Sequence, residues 1–143
     1  MKLKDIMTAD PVSIRPEATL QEAARRMRDL DVGPLPVCGE DHRLEGIITD
    51  RDITVRAIAE GKDPTTPVRE AMTGEVIYGF EDQDVQEAAR TMQKRQIRRL
   101  LVLNRDKRLV GIVSLGDLAV KTGDRQRAGE VLQDVSEPAI PHR

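Results

Sequence analysis

GIITDRDI, residues 46–53, has a second copy in the chain: GIVSLGDL, residues 111–118. Each ends an apolar run in a hydroxyl residue, Thr49 or Ser114, and places an aspartate three positions later, Asp52 or Asp117. Extending the comparison outward at the same offset of 65 residues brings DIMTADPVSI over EAMTGEVIYG and LQEAARRM over VQEAARTM, with no gap. Between Asp5 and Val55, 17 of 51 positions match their partner, which marks an internal duplication.

Both copies have the same local grammar. A short extended piece around Val12 to Ile14, or Val76 to Tyr78, precedes a helix. Thr19 answered by Glu22, and Asp84 answered by Glu87, have the spacing of a helix-starting capping box. Leu20, Ala23, Ala24, Met27 and Leu30 form one apolar stripe; Val85, Ala88, Ala89 and Met92 form its counterpart. Two β-rich runs follow, Leu35 to Cys38 and Leu44 to Thr49 around GEDHR, and Leu100 to Leu103 and Leu109 to Ser114 around NRDKR. Second helices are expected over about Asp50 to Ala59 and Leu115 to Thr122. GKDPTTP, residues 61–67, reads as a turn-forming linker, and the tail with Pro138 and Pro141 as peripheral apart from one or two helical turns over Ala128 to Val135.

The pattern predicts an α/β protein of two strand-helix-strand-strand-helix units, at residues 7–64 and 72–128, followed by a C-terminal tail, 129–143. A unit of this size with one buried sheet face is marginal alone, so the duplication predicts the two packed sheet to sheet in one pseudo-twofold module.

Composition narrows the function. The 143 residues carry 34% charged side chains that nearly cancel to −2, with no clustered basic surface for duplex nucleic acid. Tyr78 and Phe80 are the only aromatics, too few for a single-strand stacking platform. No stretch of about 18 apolar residues and no apolar leader segment are present, which reads as a cytoplasmic protein with no membrane partner. One cysteine, Cys38, excludes an internal disulfide and reads as a buried strand residue. His42 and His142 have no nucleophile or ligand set around them, so neither a catalytic residue nor a metal site is expected.

The repeated motif stands where a strand runs into a helix. Unpaired N–H groups, a hydroxyl and a carboxylate on the first turn match the phosphate and ribose of a nucleotide. The same residues also make a plain capping box, and the motif's chemistry alone leaves both readings open.

DIMT with PVSI, TLQEAARRM, VGPLPV and GIITDRDI, then REAMT, VQEAARTM, IRRLLV and GIVSLGDL, resemble a tandem pair of CBS domains, the cystathionine β-synthase-type or Bateman module, over about residues 2 to 124. The chain is similar to small stand-alone bacterial pairs of the hypoxic-response type. The resemblance implies a non-enzymatic sensor that binds AMP, ADP, ATP or S-adenosylmethionine in clefts between the copies and signals to a partner protein, and that dimerises into a flat disk. It assigns phosphate or ribose contacts to Thr49, Asp52, Ser114 and Asp117, and adenine contacts to Val12 and Ser13 or Ile77 and Tyr78. Arg51, in the first motif only, and Arg98 and Arg99, which replace Gly33 and Pro34, are candidate phosphate grips that make the copies unequal. The alternative is a dimerisation or interaction module whose clefts have lost their ligand.

Overall fold

The computed structural model describes residues 1–136; the segment beyond, with Pro138, Pro141 and His142, lies outside the described residues. The chain divides into two compact units. One comprises residues 11–76 with the short return 106–109; the other comprises residues 1–10, 77–105 and the chain from Val110 on. Repeat and unit are therefore different partitions of the chain. Each unit joins the body of one repeat to the DIMT or EAMT arm that opens the other.

In the unit of the first repeat, helix α2 (Leu20–Leu30) starts on Thr19, whose hydroxyl accepts from the Glu22 amide, and ends at Asp31 in the left-handed conformation. Strands β2 (Pro34–Cys38) and β3 (Leu44–Thr49) form the expected antiparallel hairpin, turning through a single 3₁₀ turn at Glu40–His42. The expected first strand is reduced to one bridge: Ile14 pairs in parallel with Val37, so β2 lies between it and β3. The expected helix from Asp50 to Ala59 is not regular. A short α-helical turn, α3 (Asp50–Asp52), widens into a π-helical segment, Ile53–Ile58. The amides of Ala59 and Lys62 reach back five residues, to the carbonyls of Thr54 and Ala57. Three consecutive β-branched residues, Ile53, Thr54 and Val55, resist an α-helical turn, and the Thr54 hydroxyl donates to the carbonyl of Asp50, a contact that bends helices. The arm closes this unit with a 3₁₀ turn, Val68–Glu70, and an antiparallel bridge from Thr73 to Ile47.

The other unit is more complete. Its four-stranded sheet runs β1 (Thr8–Ala9), β6 (Leu109–Ser114), β5 (Arg99–Leu103), β4 (Tyr78–Phe80). Strand β4 sits farther along the chain than the expected Val76 to Tyr78 and pairs in parallel with β5. The arm supplies helix α1 (Leu3–Ile6) and strand β1, neither legible from the sequence. Helices α4 (Val85–Arg95), α5 (Leu115–Lys121) and α6 (Arg125–Ser136) complete it. The tail segment Ala128 to Val135 is thus part of a full helix, packed on α4 and α5.

That extra helix explains a correction to the apolar stripes. Val85, Ala88, Ala89 and Met92 of α4 are all buried, in one core with Leu3, Ile6, Leu100, Val102, Ala128 and Val131. On α2 only Leu20, Ala23 and Met27 are buried, whereas Ala24 and Leu30 are exposed. Nothing equivalent to α6 covers α2 within its unit.

Candidate functional site

Thr49 is the last residue of β3 and Ser114 the last of β6; each is at once the cap of the following helix. Extended backbone at both, φ −114° and −106°, turns the side-chain oxygen toward the first helical turn. The Thr49 hydroxyl oxygen accepts from the Asp52 amide at 3.0 Å, and Asp52 Oδ2 accepts from the Thr49 amide at 3.0 Å. The second copy repeats this reciprocal pair: Ser114 Oγ accepts from the Asp117 amide at 3.1 Å, and Asp117 Oδ2 from the Ser114 amide at 2.8 Å. The capping box is therefore real at both motifs. It leaves two groups unspent by capping at each, because a hydroxyl that accepts one bond still has its own proton to donate and the aspartate still has Oδ1.

Oδ1 has a partner that the sequence reading did not single out. Arg56 Nε lies 3.8 Å from Oδ1 of Asp52, and Lys121 Nζ lies 3.2 Å from Oδ1 of Asp117. Arg56 and Lys121 occupy the same register of the repeat, four residues after the aspartate on the helical face. A basic residue at that spacing in both copies was the signal available. The aspartate side chains are recessed, 14% and 16% exposed, whereas the cations above them are 54% and 43% exposed.

The motif glycines serve a close approach of backbone or side chain from the arms. A Cβ on Gly46 would come 2.6 Å from the carbonyl oxygen of Thr73, and one on Gly111 would overlap the side chain of Met7. The arm strand lies beside the motif strand in both units, as Thr73 with Ile47 and as Thr8 with Ile112.

The other candidates fall into two sets, one in each unit. In the first, Ser13 and Val12 precede the Ile14 bridge, one strand removed from β3. Val12 is exposed, and the Ser13 carbonyl accepts from Arg26 at 2.8 Å. Cys38 is a buried strand residue whose pKa is pushed up mainly by burial. Arg51 is exposed on the rim of an open depression of about 310 Å³ with Asp50, Thr54 and Val55. In the other unit, Ile77 packs on the core and Tyr78 begins β4, one strand removed from β6 across β5. The Tyr78 ring meets Phe80 edge-on with centroids 5.6 Å apart, and Arg105 lies 4.1 Å over Phe80 while binding Asp82 through both carboxylate oxygens. That guanidinium holds the Asp82 carboxyl below its ordinary range. The Arg98 carbonyl accepts from the Leu115 amide at the motif, but its guanidinium turns to Ser136 of α6. Arg99 is exposed at the start of β5.

Duplicated strand-to-helix junctions on an α/β frame, each with a hydroxyl and a carboxylate fixed by the other, define a tandem-repeat α/β module. The chain belongs to the CBS domain family, whose model matches residues 3–57 and 68–121. It is similar to the CBS domain-containing protein YhcV of Bacillus subtilis (strain 168), with 41% identity over 138 residues that span 96% of this chain and 97% of the relative. Among solved structures, Hypoxic Response Protein I with two coordinated zinc ions superposes with a TM-score of 0.75 at 39% identity, over 83% of this chain and 97% of that one. The CBS domain pair of protein MJ0100 in complex with 5-methylthioadenosine and S-adenosyl-L-methionine gives 0.72 at 31% identity, over 87% and 98%.

Proposed function

We propose that this protein is a non-enzymatic regulatory module that binds an adenosine-containing ligand, AMP, ADP, ATP or S-adenosylmethionine, at its repeated motifs. Thr49 and Ser114 donate their hydroxyl protons to the ligand's phosphate or ribose, and Asp52 and Asp117 accept from the ribose hydroxyls. Val12 and Ser13, or Ile77 and Tyr78, meet the adenine, and Arg51, Arg98 and Arg99 bias the sites toward phosphate. The module acts as a homodimer in the cytoplasm and signals to a partner protein, since a ligand that prefers one packing arrangement shifts the population toward it. The observation that carries this reading is the doubled capping box, which fixes the hydroxyl and the carboxylate rigidly while leaving one donor and one carboxylate oxygen for a ligand. The adenosyl ligands of the MJ0100 pair, at 31% identity, support the ligand class.

A second reading has one specific observation in its favour. The capping boxes and the Arg56 and Lys121 pairs occupy both oxygens of each motif carboxylate with no ligand at all, as a pure assembly module would require. The two zinc ions are a property of Hypoxic Response Protein I; in this chain, among the described residues, no three His, Cys, Asp or Glu side chains gather around one point.

Thermal melting with AMP, ADP, ATP and S-adenosylmethionine separates the two. Ligand at a hundred times its Kd stabilises by about 2.7 kcal/mol, which moves the midpoint of a domain this size by several degrees. Asp52→Ala and Asp117→Ala should each remove part of the shift. No shift with any ligand favours the assembly reading, and undiminished shifts in both variants remove the ribose assignment.

A further inference from the structure

Arg56 and Lys121 do more than pair with the motif carboxylates. Arg56 Nη1 also donates to the main-chain carbonyl of Met72 at 3.4 Å, and Lys121 Nζ to that of Ile6 at 3.0 Å. Ile6 is the last residue of α1 and Met72 lies two residues beyond the 3₁₀ turn Val68–Glu70, so in each unit one cation links the recessed aspartate to the arm packed on that unit. Two different basic residues, at one register of the repeat, each contact the motif aspartate and an arm carbonyl, the two acceptors lying one residue apart in repeat register. Helix solubility does not explain this, because a solvent-directed cation has no need of a main-chain acceptor on another segment.

A recessed carboxylate beside a phosphate is an obstacle. It offers an acceptor to ribose hydroxyls, yet its charge repels a nucleotide's phosphate at short range, where water screens least. A cation fixed over Oδ1 removes the repulsion and leaves the carboxylate its lone pairs for the ribose. A neutral nucleoside has no phosphate to be repelled and gains little from the cation.

We infer that Arg56 and Lys121 are specificity-determining residues which balance the charge of Asp52 and Asp117, so that the two sites accept phosphorylated nucleosides as readily as neutral ones. The inference rests on the adenosyl-binding reading above and assigns residues that reading does not use. The arm carbonyl is the anchor that keeps each cation on the carboxylate rather than in solvent.

Calorimetric titration of the full chain with AMP and with adenosine tests this. The proteins are wild type, the charge-removing doubles Arg56→Gln with Lys121→Gln and Arg56→Met with Lys121→Met, and the charge-keeping double Arg56→Lys with Lys121→Arg. Loss of the charge should weaken AMP by about three- to tenfold, leave adenosine within about twofold and keep the ligand-free melting midpoint near wild type, as expected for exposed side chains. The charge-keeping double should retain the wild-type ratio of the two affinities. Equal weakening of AMP and adenosine would mean that the cations only hold the helix in place, and unchanged affinities would mean that they do nothing at the site. Either result overturns the inference while the adenosyl reading stands. Wild type that binds neither probe overturns the inference, and the adenosyl reading then stands or falls with the melting series above.

Discussion

Gly46 and Gly111 are the same letter of the same motif, yet a side chain meets different atoms at each. At Gly46 the nearest obstacle is the carbonyl of Thr73, main chain held by two bonds to Ile47, with Met72 Sδ at 3.1 Å. At Gly111 it is the flexible side chain of Met7, which can move aside. Gly46→Ala should therefore cost about 2–3 kcal/mol by overpacking, and Gly111→Ala about 1 kcal/mol or less. Urea denaturation of the two variants checks the difference, and equal losses would contradict the steric account. At this scale the sequence was informative about roles and silent about partners. The pairing of Thr49 with Asp52 follows from spacing, because capping is local. The neighbours of Gly46 come from an arm more than twenty residues further along, and no local rule reveals them.

Helices α2 and α4 were readable because their starts and apolar stripes are local, and the β2–β3 hairpin because its turn is short. The second helix of the first repeat departs from the repeat pattern, since its copy LGDLAVK folds as a regular helix while DRDITV does not. The substitutions that matter, Thr54 for Ala119 and Ile53 for Leu118, are conservative in hydrophobicity or size and decisive for backbone shape. Thr54 and Val55 are exposed, so replacing both by Ala relieves the β-branched run without opening a cavity. Thr54→Ala with Val55→Ala should stabilise by about 0.5–1 kcal/mol and raise the far-ultraviolet helical signal. An unchanged spectrum with lower stability would show that packing, not propensity, imposes the π segment. The exposed Ala24 and Leu30 carry a related lesson: periodicity predicts which face is apolar, while a separate element, α6 in the other unit, decides whether that face is buried.

For the molecule as a whole, the duplication was plain, and with it the fold class. The assignment of arms to bodies was not, because it depends on contacts between the ends of the chain. Leu3 and Ile6 are 0% and 1% exposed in the core with Val85, Met92 and Val131. Leu3→Ala should cost about 2–5 kcal/mol, as a fully buried side chain does. It should speed amide hydrogen exchange in α4 and β5 of the second repeat rather than in α2 and β2 of the first. Faster exchange in α2 and β2 would contradict the composite unit. The same arrangement sets a timetable for folding during synthesis. Leu3 is synthesised 128 residues before Val131, which belongs to the same core. At roughly 5–20 residues per second the arm waits on the order of ten seconds for its core. Throughout that interval Leu3 and Ile6 lack part of the core that buries them, which leaves the segment open to wrong contacts and to the chaperones that guard against them.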